Sequence, residues 1–588
     1  MHMLRTSLLC VAAWAAMHTA ALALDRPAWM DQPGIVMAGS WEEPSFRARR
    51  MGRTDYTLPA ELQAQYAREH TPEMIAQLKD LGVNFVMIHC YKGAGLKTEH
   101  EGMEDAKRFT RLAHQAGLRV GAYIGGTMLY DRLFEEEPDA PQWQAFGPHG
   151  EPLYYHPTQQ FRYAVVRNHP GFIEYLKKPV RFAVEEMHAD LIHFDNFGTG
   201  AATYDSFSKK KFREFLQARG KMPHDPPLRG TSNTDPLVRD WEDYKCQALT
   251  DHYAAMSRYI RGLNPQCGVE CNPGGVGSGG AAVAGIDHAR LLPLGNAFWD
   301  ENYGTDWSEK TATAQTRIRT LKVGELFNNS TFLYCESALD LAESMAFNVN
   351  CLGSVSWFEW GKMETAHLTG KPIPKELKTY IRFFLDHQDL YRHWRSVADV
   401  AVLRTFADAN FSLRKSYPIE QSLIQAHVAW RIIFDEQVDD LASYRVLVVP
   451  DKPWLTAEQQ RKIARFGQRG GLVVRSADIP DPKAFAKTVH DRLRVLVDAP
   501  RSVALELRQQ NTPRRVLIHL VNYNARQPVK NVAVKLRLKS GTVQSVRLMS
   551  PDPATCRPLP FETAPRGCSF VVPECNVYAA VVIDGIGL

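Results

Sequence analysis

From residue 34 to about 393, short apolar runs alternate with stretches of helical periodicity. The run Ile35-Val36-Met37-Ala38 precedes Thr71-Pro72-Glu73, which opens a helix with an N-cap and a proline in the first turn, and Gly82 ends that helix. Further apolar runs at 83–89, 118–124, 190–195, 268–272, 298–301, 332–336 and 354–359 read as strands. Amphipathic stretches at 103–116, 171–187, 204–219, 236–263, 308–324 and 339–350 read as helices, although none separates the fifth strand from the sixth. Eight strands alternating with helices predict a closed parallel (β/α)8 barrel over 24–393.

The rhythm then changes twice. Over 394–495, apolar runs at 399–403, 444–450 and 470–474 alternate with helices near 420–430 and from Thr456, which predicts a small flavodoxin-like α/β unit. Over 496–588, runs at 515–523, 532–538, 543–548 and 577–583 alternate at period two with turns between, the pattern of an antiparallel β-sandwich. Residues 1–23 have the pattern of a secretory signal peptide: Arg5, an apolar core from Leu8 to Ala16, and a small-residue exit at Ala21-Leu22-Ala23. The expectation is an exported protein, periplasmic or extracellular, with no membrane contact after cleavage.

The net charge of +5 over 588 residues gives no basis for a nucleic-acid partner or an anionic membrane surface. Lys209-Lys210-Lys211 reads as a solvated helix face. Nine cysteines follow the leader, an odd number, and Cys568 with Cys575 or Cys556 is the expected bridge if one forms.

Chemistry is expected where barrel strands end. The fourth run places Leu191, His193 and Asp195 on one face and ends in Asn196, so a carboxylate stands at the carboxyl end of a buried strand. Asp300 and Glu301 end the sixth run, and only one of them can face the axis. Glu270 shares a face with Gly268 and Asn272 on the fifth, and Glu336 ends the seventh. Two carboxyl groups flanking one bond are what glycoside hydrolysis requires. Asp195 is the expected nucleophile and Asp300 or Glu301 the expected acid/base, with Glu270 and Glu336 as rivals.

His89, His193, Asn196, Asn272, Trp299, Tyr303, Trp357 and Glu359 are the expected sugar contacts. Aromatic residues of the excursion after strand three, Tyr130, Phe134, Trp143, Tyr154 and Tyr155, either line subsites or staple that excursion to the rim. His89, His193, Asp195 and Glu270 carry no metal-ligand spacing, so neither a metal nor another cofactor is expected. Gly275-Val276-Gly277-Ser278-Gly279-Gly280 satisfies G-x-G-x-x-G, but Pro273 and the short segment after it make an active-site loop the better reading than a dinucleotide site. The alternatives are a carbohydrate-binding barrel without turnover and a metal-dependent hydrolase.

The order of barrel, α/β unit and terminal sandwich resembles the family 42 β-galactosidases. Val400-Ala401-Val402-Leu403, the run 444–450 and Phe466 through Gly470-Gly471-Leu472-Val473-Val474 resemble their trimerisation domain, which implies a homotrimer. Asp195-Asn196 stands where that family carries Asn-Glu. A strand-four aspartate nucleophile is similar to the α-fucosidases and the α-galactosidase/α-glucosidase group. The whole chain resembles the hypothetical glycosyl hydrolase group called family 6 of its provisional series, which implies a glycosidase acting on a carbohydrate without a cofactor.

Overall fold

The computed structural model describes residues 24–588 apart from 42–43, 199–202, 229–231, 233, 278–283, 302–303, 356–373, 412–415, 480, 482–484, 486 and 539. Eight parallel strands form the barrel: Ile35–Trp41, Phe85–Tyr91, Arg119–Gly125, Leu191–Asp195, Gly268–Cys271, Ala297–Trp299, Ser330–Phe332 and Cys351–Ser354. Each is hydrogen-bonded to the next in chain order, the last pairs with the first, and a Tyr334–Ser354 bridge joins strands seven and eight to close the ring. Thr71 caps the first crossover helix, Pro72–Leu81, and Gly82 ends it in the left-handed region that glycine adopts without a Cβ penalty.

Alternation sorts the strand residues into two shells. Met37, Phe85, Met87, Leu191, Ala297, Trp299 and Phe332 pack together along the barrel axis. Val36, Val86, Ile88, Ile192, Phe194, Val269 and Phe298 pack outward against the helices. Below the first layer, Met30 is buried and Trp29 stacks on Phe85 with ring centroids 5.7 Å apart.

Three stretches of the barrel differ from the sequence-based expectation. Residues 306–315 form a hairpin, with Asp306–Ser308 paired to Thr313–Gln315, and the helix begins only at Ile318. The Ser308 hydroxyl accepts from the Thr311 backbone and hydroxyl, a local alternative to helical bonding. Strand seven stops at Phe332 because Asp340, in a capping box with Ser337, takes the backbone N–H groups of Glu336 and Ser337 and turns the chain into the next helix. Strand eight is Cys351–Ser354, upstream of the expected 354–359, most of which lies outside the described residues, as do Trp357 and Glu359.

The α/β unit is a four-stranded parallel sheet ordered Trp430–Ile433, Val400–Leu403, Val446–Val449, Leu472–Arg475. A capping box between Thr456 and Gln459 starts its helix Ala457–Gln468. The terminal unit packs a six-stranded sheet on a four-stranded one through Leu505, Ile518, Val534, Phe570 and Val581. Trp394–Ser396 pairs with Val503–Asn511, and Val495–Asp498 pairs with Val529–Arg537, so both strands bordering the α/β unit belong to the sandwich sheets.

All nine cysteines of the described residues are unbridged. The expected Cys568–Cys575 bond is geometrically excluded. Both lie on the strand Gly567–Cys575, about 23 Å apart at ~3.3 Å per residue, far beyond the ~7 Å that a disulfide tolerates between Cα atoms. Cys556 is likewise free. Among the described residues no helix is long and apolar enough to cross a membrane.

Candidate active site

The site grows from one level of the barrel. Strand register sets His89 beside Tyr123, Tyr123 beside His193, and His193 beside Glu270. All four side chains point inward. The His89 and Tyr123 rings stack at 3.9 Å with 9° between their planes, and His193 tilts against Tyr123 at 4.5 Å. His193 Nδ1 hydrogen-bonds Glu270 Oε2, and both residues are buried. This level is a floor of rings beneath the mouth.

Asp195 stands two residues above His193, at the end of strand four. Asn196 follows in the left-handed region (φ 54°), which asparagine tolerates, and its Nδ2 donates to Asp195 Oδ2. Lys92 Nζ donates to the same Oδ2 at 3.0 Å and to the Tyr123 hydroxyl at 2.7 Å. Glu99 fixes the turn that presents Lys92 by accepting the backbone N–H groups of Lys92, Gly93 and Ala94 at 2.5, 2.9 and 2.5 Å. Gly125 has no Cβ for steric reasons: one would sit 2.4 Å from the Lys92 carbonyl oxygen.

Burial pushes the Asp195 carboxyl up, but Lys92, His193, the Tyr123 hydroxyl and Arg162 outweigh it and hold the group well below the usual carboxylate range. Asp195 is therefore ionised. Burial beside the Asp195 charge raises the Tyr123 hydroxyl far above its ordinary value and keeps it protonated.

The alternation of strand six separates its two acids. Trp299 belongs to the axial shell and Phe298 to the outer one; Glu301, two residues beyond Trp299, lies within the fields of Asp195, His193 and Lys92, while Asp300 is buried. Glu301 reaches solvent at the mouth and accepts from the Asn272 side chain. Loss of hydration and the Asp195 charge raise its carboxyl above the ordinary value. Burial also raises Glu270, beneath the mouth, with His193 opposing. Glu336 sits exposed beyond strand seven, and its carboxyl is raised by partial burial and Asp340 rather than by Asp195 or Glu301.

The remaining expected contacts are distributed unevenly. Trp299 is buried in the floor, edge-on to His193 at 6.0 Å and to Tyr334 at 5.4 Å. His89 is buried, and desolvation with the Lys92 charge lowers it well below the ordinary histidine range, so it is neutral. Tyr303 lies outside the described residues, as does the end of the glycine-rich segment from 278. Its beginning is anchored: Gly277 packs against Thr320, and its carbonyl accepts from Arg404 Nη1 at 2.7 Å. In the excursion after strand three, Met128–Tyr130 pairs with Arg162–Ala164, and Tyr130, Phe134, Trp143 and Tyr154 pack on neighbouring rings. Tyr155 is exposed and covers Arg162. Among the described residues no group of three His, Cys, Asp or Glu side chains is placed to hold a metal ion.

Sequence periodicity missed Lys92, Tyr123 and Arg162. Tyr123 was within reach, being on the axial parity of strand three. Lys92 was not. The register shifts between His89 and Tyr91, and this irregularity turns an even-numbered residue inward.

This arrangement, a (β/α)8 barrel with an ionised aspartate and a second, protonatable carboxyl at its strand ends, has the fold of known glycosidases. No family profile and no curated protein matches the sequence. Among solved structures, the α-L-fucosidase isoenzyme 2 of Paenibacillus thiaminolyticus is similar with a TM-score of 0.66 at 14% identity, covering 88% of this chain and 97% of that one. Gan42B, a family 42 β-galactosidase of G. stearothermophilus, is similar with a TM-score of 0.67 at 11% identity, covering 96% of this chain and all of its own. The β-galactosidase of Bacillus circulans sp. alkalophilus gives 0.60 at 11% identity, over 94% and 99%. At these identities the likeness establishes the shared fold.

Proposed function

We propose that this chain hydrolyses O-glycosidic bonds, with Asp195 as nucleophile and Glu301 as acid/base. The observation that carries the reading is the opposite treatment of the two carboxyls: Asp195 is held ionised by Lys92 and Tyr123, while Glu301 is raised by desolvation and by Asp195 itself. Two acids whose environments push them apart are matched to nucleophile and proton donor. Asp195 attacks the anomeric carbon as Glu301 protonates the leaving oxygen. A covalent glycosyl ester forms on Asp195. Glu301, now a carboxylate, takes a proton from water, and that water opens the ester. Lys92 keeps the nucleophile anionic and oriented, and the His89–Tyr123–His193–Glu270 floor supports it from below. The solved glycosidases that share the fold support this class of reaction.

The test is a hydrolysis screen of α- and β-linked aryl glycosides, including fucosides and galactosides, with Asp195→Asn alongside. Cleavage that falls by about three orders of magnitude or more in the variant supports the assignment. Cleavage that survives it removes Asp195 from the role, and glycan binding without cleavage assigns a non-catalytic binder. The same proposal has residues 1–23 removed on export and the protein assembling as a trimer through its α/β unit. Amino-terminal sequencing of the secreted protein and light scattering check these two points: a retained leader or a monomer would remove them.

A further inference from the structure

Arg162 is only 4% exposed, yet no carboxylate is hydrogen-bonded to it among the described residues. Three other buried guanidinium groups around the barrel meet acids: Arg47 faces Glu69 at 3.0 Å, Arg317 faces Glu343 at 2.8 Å and Arg319 faces Glu420 at 2.8 Å. Arg162 meets rings instead. Its guanidinium carbon lies 3.8 Å from the Tyr155 centroid, 5.4 Å from Phe46 and 5.6 Å from Tyr130. Nη1 donates to Gln159 Oε1 at 2.9 Å, and Nε is buried without a partner.

The residue also belongs to the site. Lys92 Nζ, which contacts Asp195, lies 4.6 Å from the centroid of the same Phe46 ring, so one ring packs on both cations. The field of Arg162 is felt at both Asp195 and Tyr123. Lys92 forms the ion pair with Asp195, and Arg162 acts on the same carboxylate only through its field, as a second cation. Two buried cations beside one carboxylate leave room for a second anionic group. Aromatic stacking fixes a guanidinium plane, and the guanidinium geometry matches the oxygens of a carboxylate or sulfate.

We propose that Arg162 binds an oxyanion substituent, carboxylate or sulfate, on the sugar that Asp195 attacks, so that the substrate is an acidic glycoside. The inference rests on the glycosidase reading and specifies its substrate class.

Calorimetric binding of D-glucuronate, D-galacturonate and galactose 6-sulfate is compared with that of D-galactose and L-fucose, alongside hydrolysis of the matching 4-methylumbelliferyl glycosides. At least one acidic sugar is expected to bind about 20-fold or more tightly than its neutral counterpart, and to weaken as salt rises. The carboxylate and sulfate arms separate the two sources of the oxyanion. Arg162→Gln is expected to bring the acidic-to-neutral ratio down at least tenfold, and Arg162→Lys to restore part of it. The wild-type comparison stands even if a variant misfolds. Equal or tighter binding of neutral sugars overturns the inference, as does no acidic sugar binding at millimolar concentration. Preferential acidic binding without cleavage of any glycoside retains the inference and removes the hydrolytic reading. Asp195-dependent cleavage of neutral glycosides without acidic preference does the reverse.

Discussion

Lys92 Nζ lies 3.0 Å from Asp195 Oδ2, both groups almost wholly withdrawn from solvent, and among the described residues no other side chain forms a salt bridge with that carboxylate. The pair fixes which form of Asp195 the barrel presents. Without the lysine charge, the burial that now opposes ionisation would act with less resistance.

Lys92→Met is therefore expected to raise the Asp195 carboxyl and move the acid limb of kcat/KM to higher pH. The loss should be greatest in acid and shrink as pH rises. Lys92→Arg retains the charge and should hold the limb nearer its original place. A pH profile for Lys92→Met that runs parallel to wild type would show that the lysine does not set the ionisation of Asp195.

Glu301 predicts the opposite limb. Its carboxyl is raised and must be protonated to act as acid, so activity falls as pH rises through its value. In Glu301→Gln that limb should disappear. Turnover of glycosides with poor leaving groups should fall by about 10²–10⁴, while 2,4-dinitrophenyl glycosides, which depart without a proton, should be much less affected. Equal losses on both substrates would rule out the acid role.

Tyr123 accepts from Lys92, and its hydroxyl helps to hold Asp195 ionised. Tyr123→Phe keeps the stacking ring and removes the hydroxyl. A hydrogen bond to a charged group contributes about 1.5–3 kcal/mol, so kcat/KM should fall about 10–100-fold. The measurement is a full kinetic comparison. A change confined to KM would mean that the hydroxyl contacts substrate rather than supporting the nucleophile.

Glu420 sits between Arg404 and Arg319, accepting from Arg404 Nε at 2.9 Å and Nη2 at 2.5 Å and from Arg319 Nε at 2.8 Å. Burial opposes its ionisation, but the two arginines prevail and lower its carboxyl. The stability it contributes is complete above the unfolded value, ~4.3, and is lost as pH falls through the lower folded value. Glu420→Ala leaves two buried cations and should cost about 3–5 kcal/mol, read as a lower urea midpoint at pH 7. The difference from wild type should shrink in strong acid. An unchanged midpoint would show the cluster to be energetically neutral.

Much of this was legible from residue pattern. Asp195 was readable because an apolar run closes on an acid and then breaks, and the helix starts at Thr71 and Thr456 were readable because their caps are local. Parity alone confines the strand-six acids to opposite faces, but which of them lies within the field of Asp195 depended on the assembled barrel. Lys92 was hidden by the register shift in strand two, since strict alternation turns it outward. Arg162 was hidden differently: it reaches the mouth through a hairpin whose pairing with Met128–Tyr130 spans a long irregular excursion, and nothing periodic marks it. The edges of strands seven and eight were decided by helix capping and ring closure, which are properties of the assembled barrel.

The bond from Arg404 to the Gly277 carbonyl joins the α/β sheet to the loop that leaves barrel strand five. Together with Arg319, reaching from a barrel helix to Glu420, it makes the second unit a keystone set into the wall of the first. A barrel excised at residue 393 would lose the peg that seats this loop and expose a guanidinium with nothing to grip. The smallest piece of this chain that keeps its rim intact thus extends past the barrel, and trimming from the carboxyl end should disturb the mouth well before it reaches any residue that lines it.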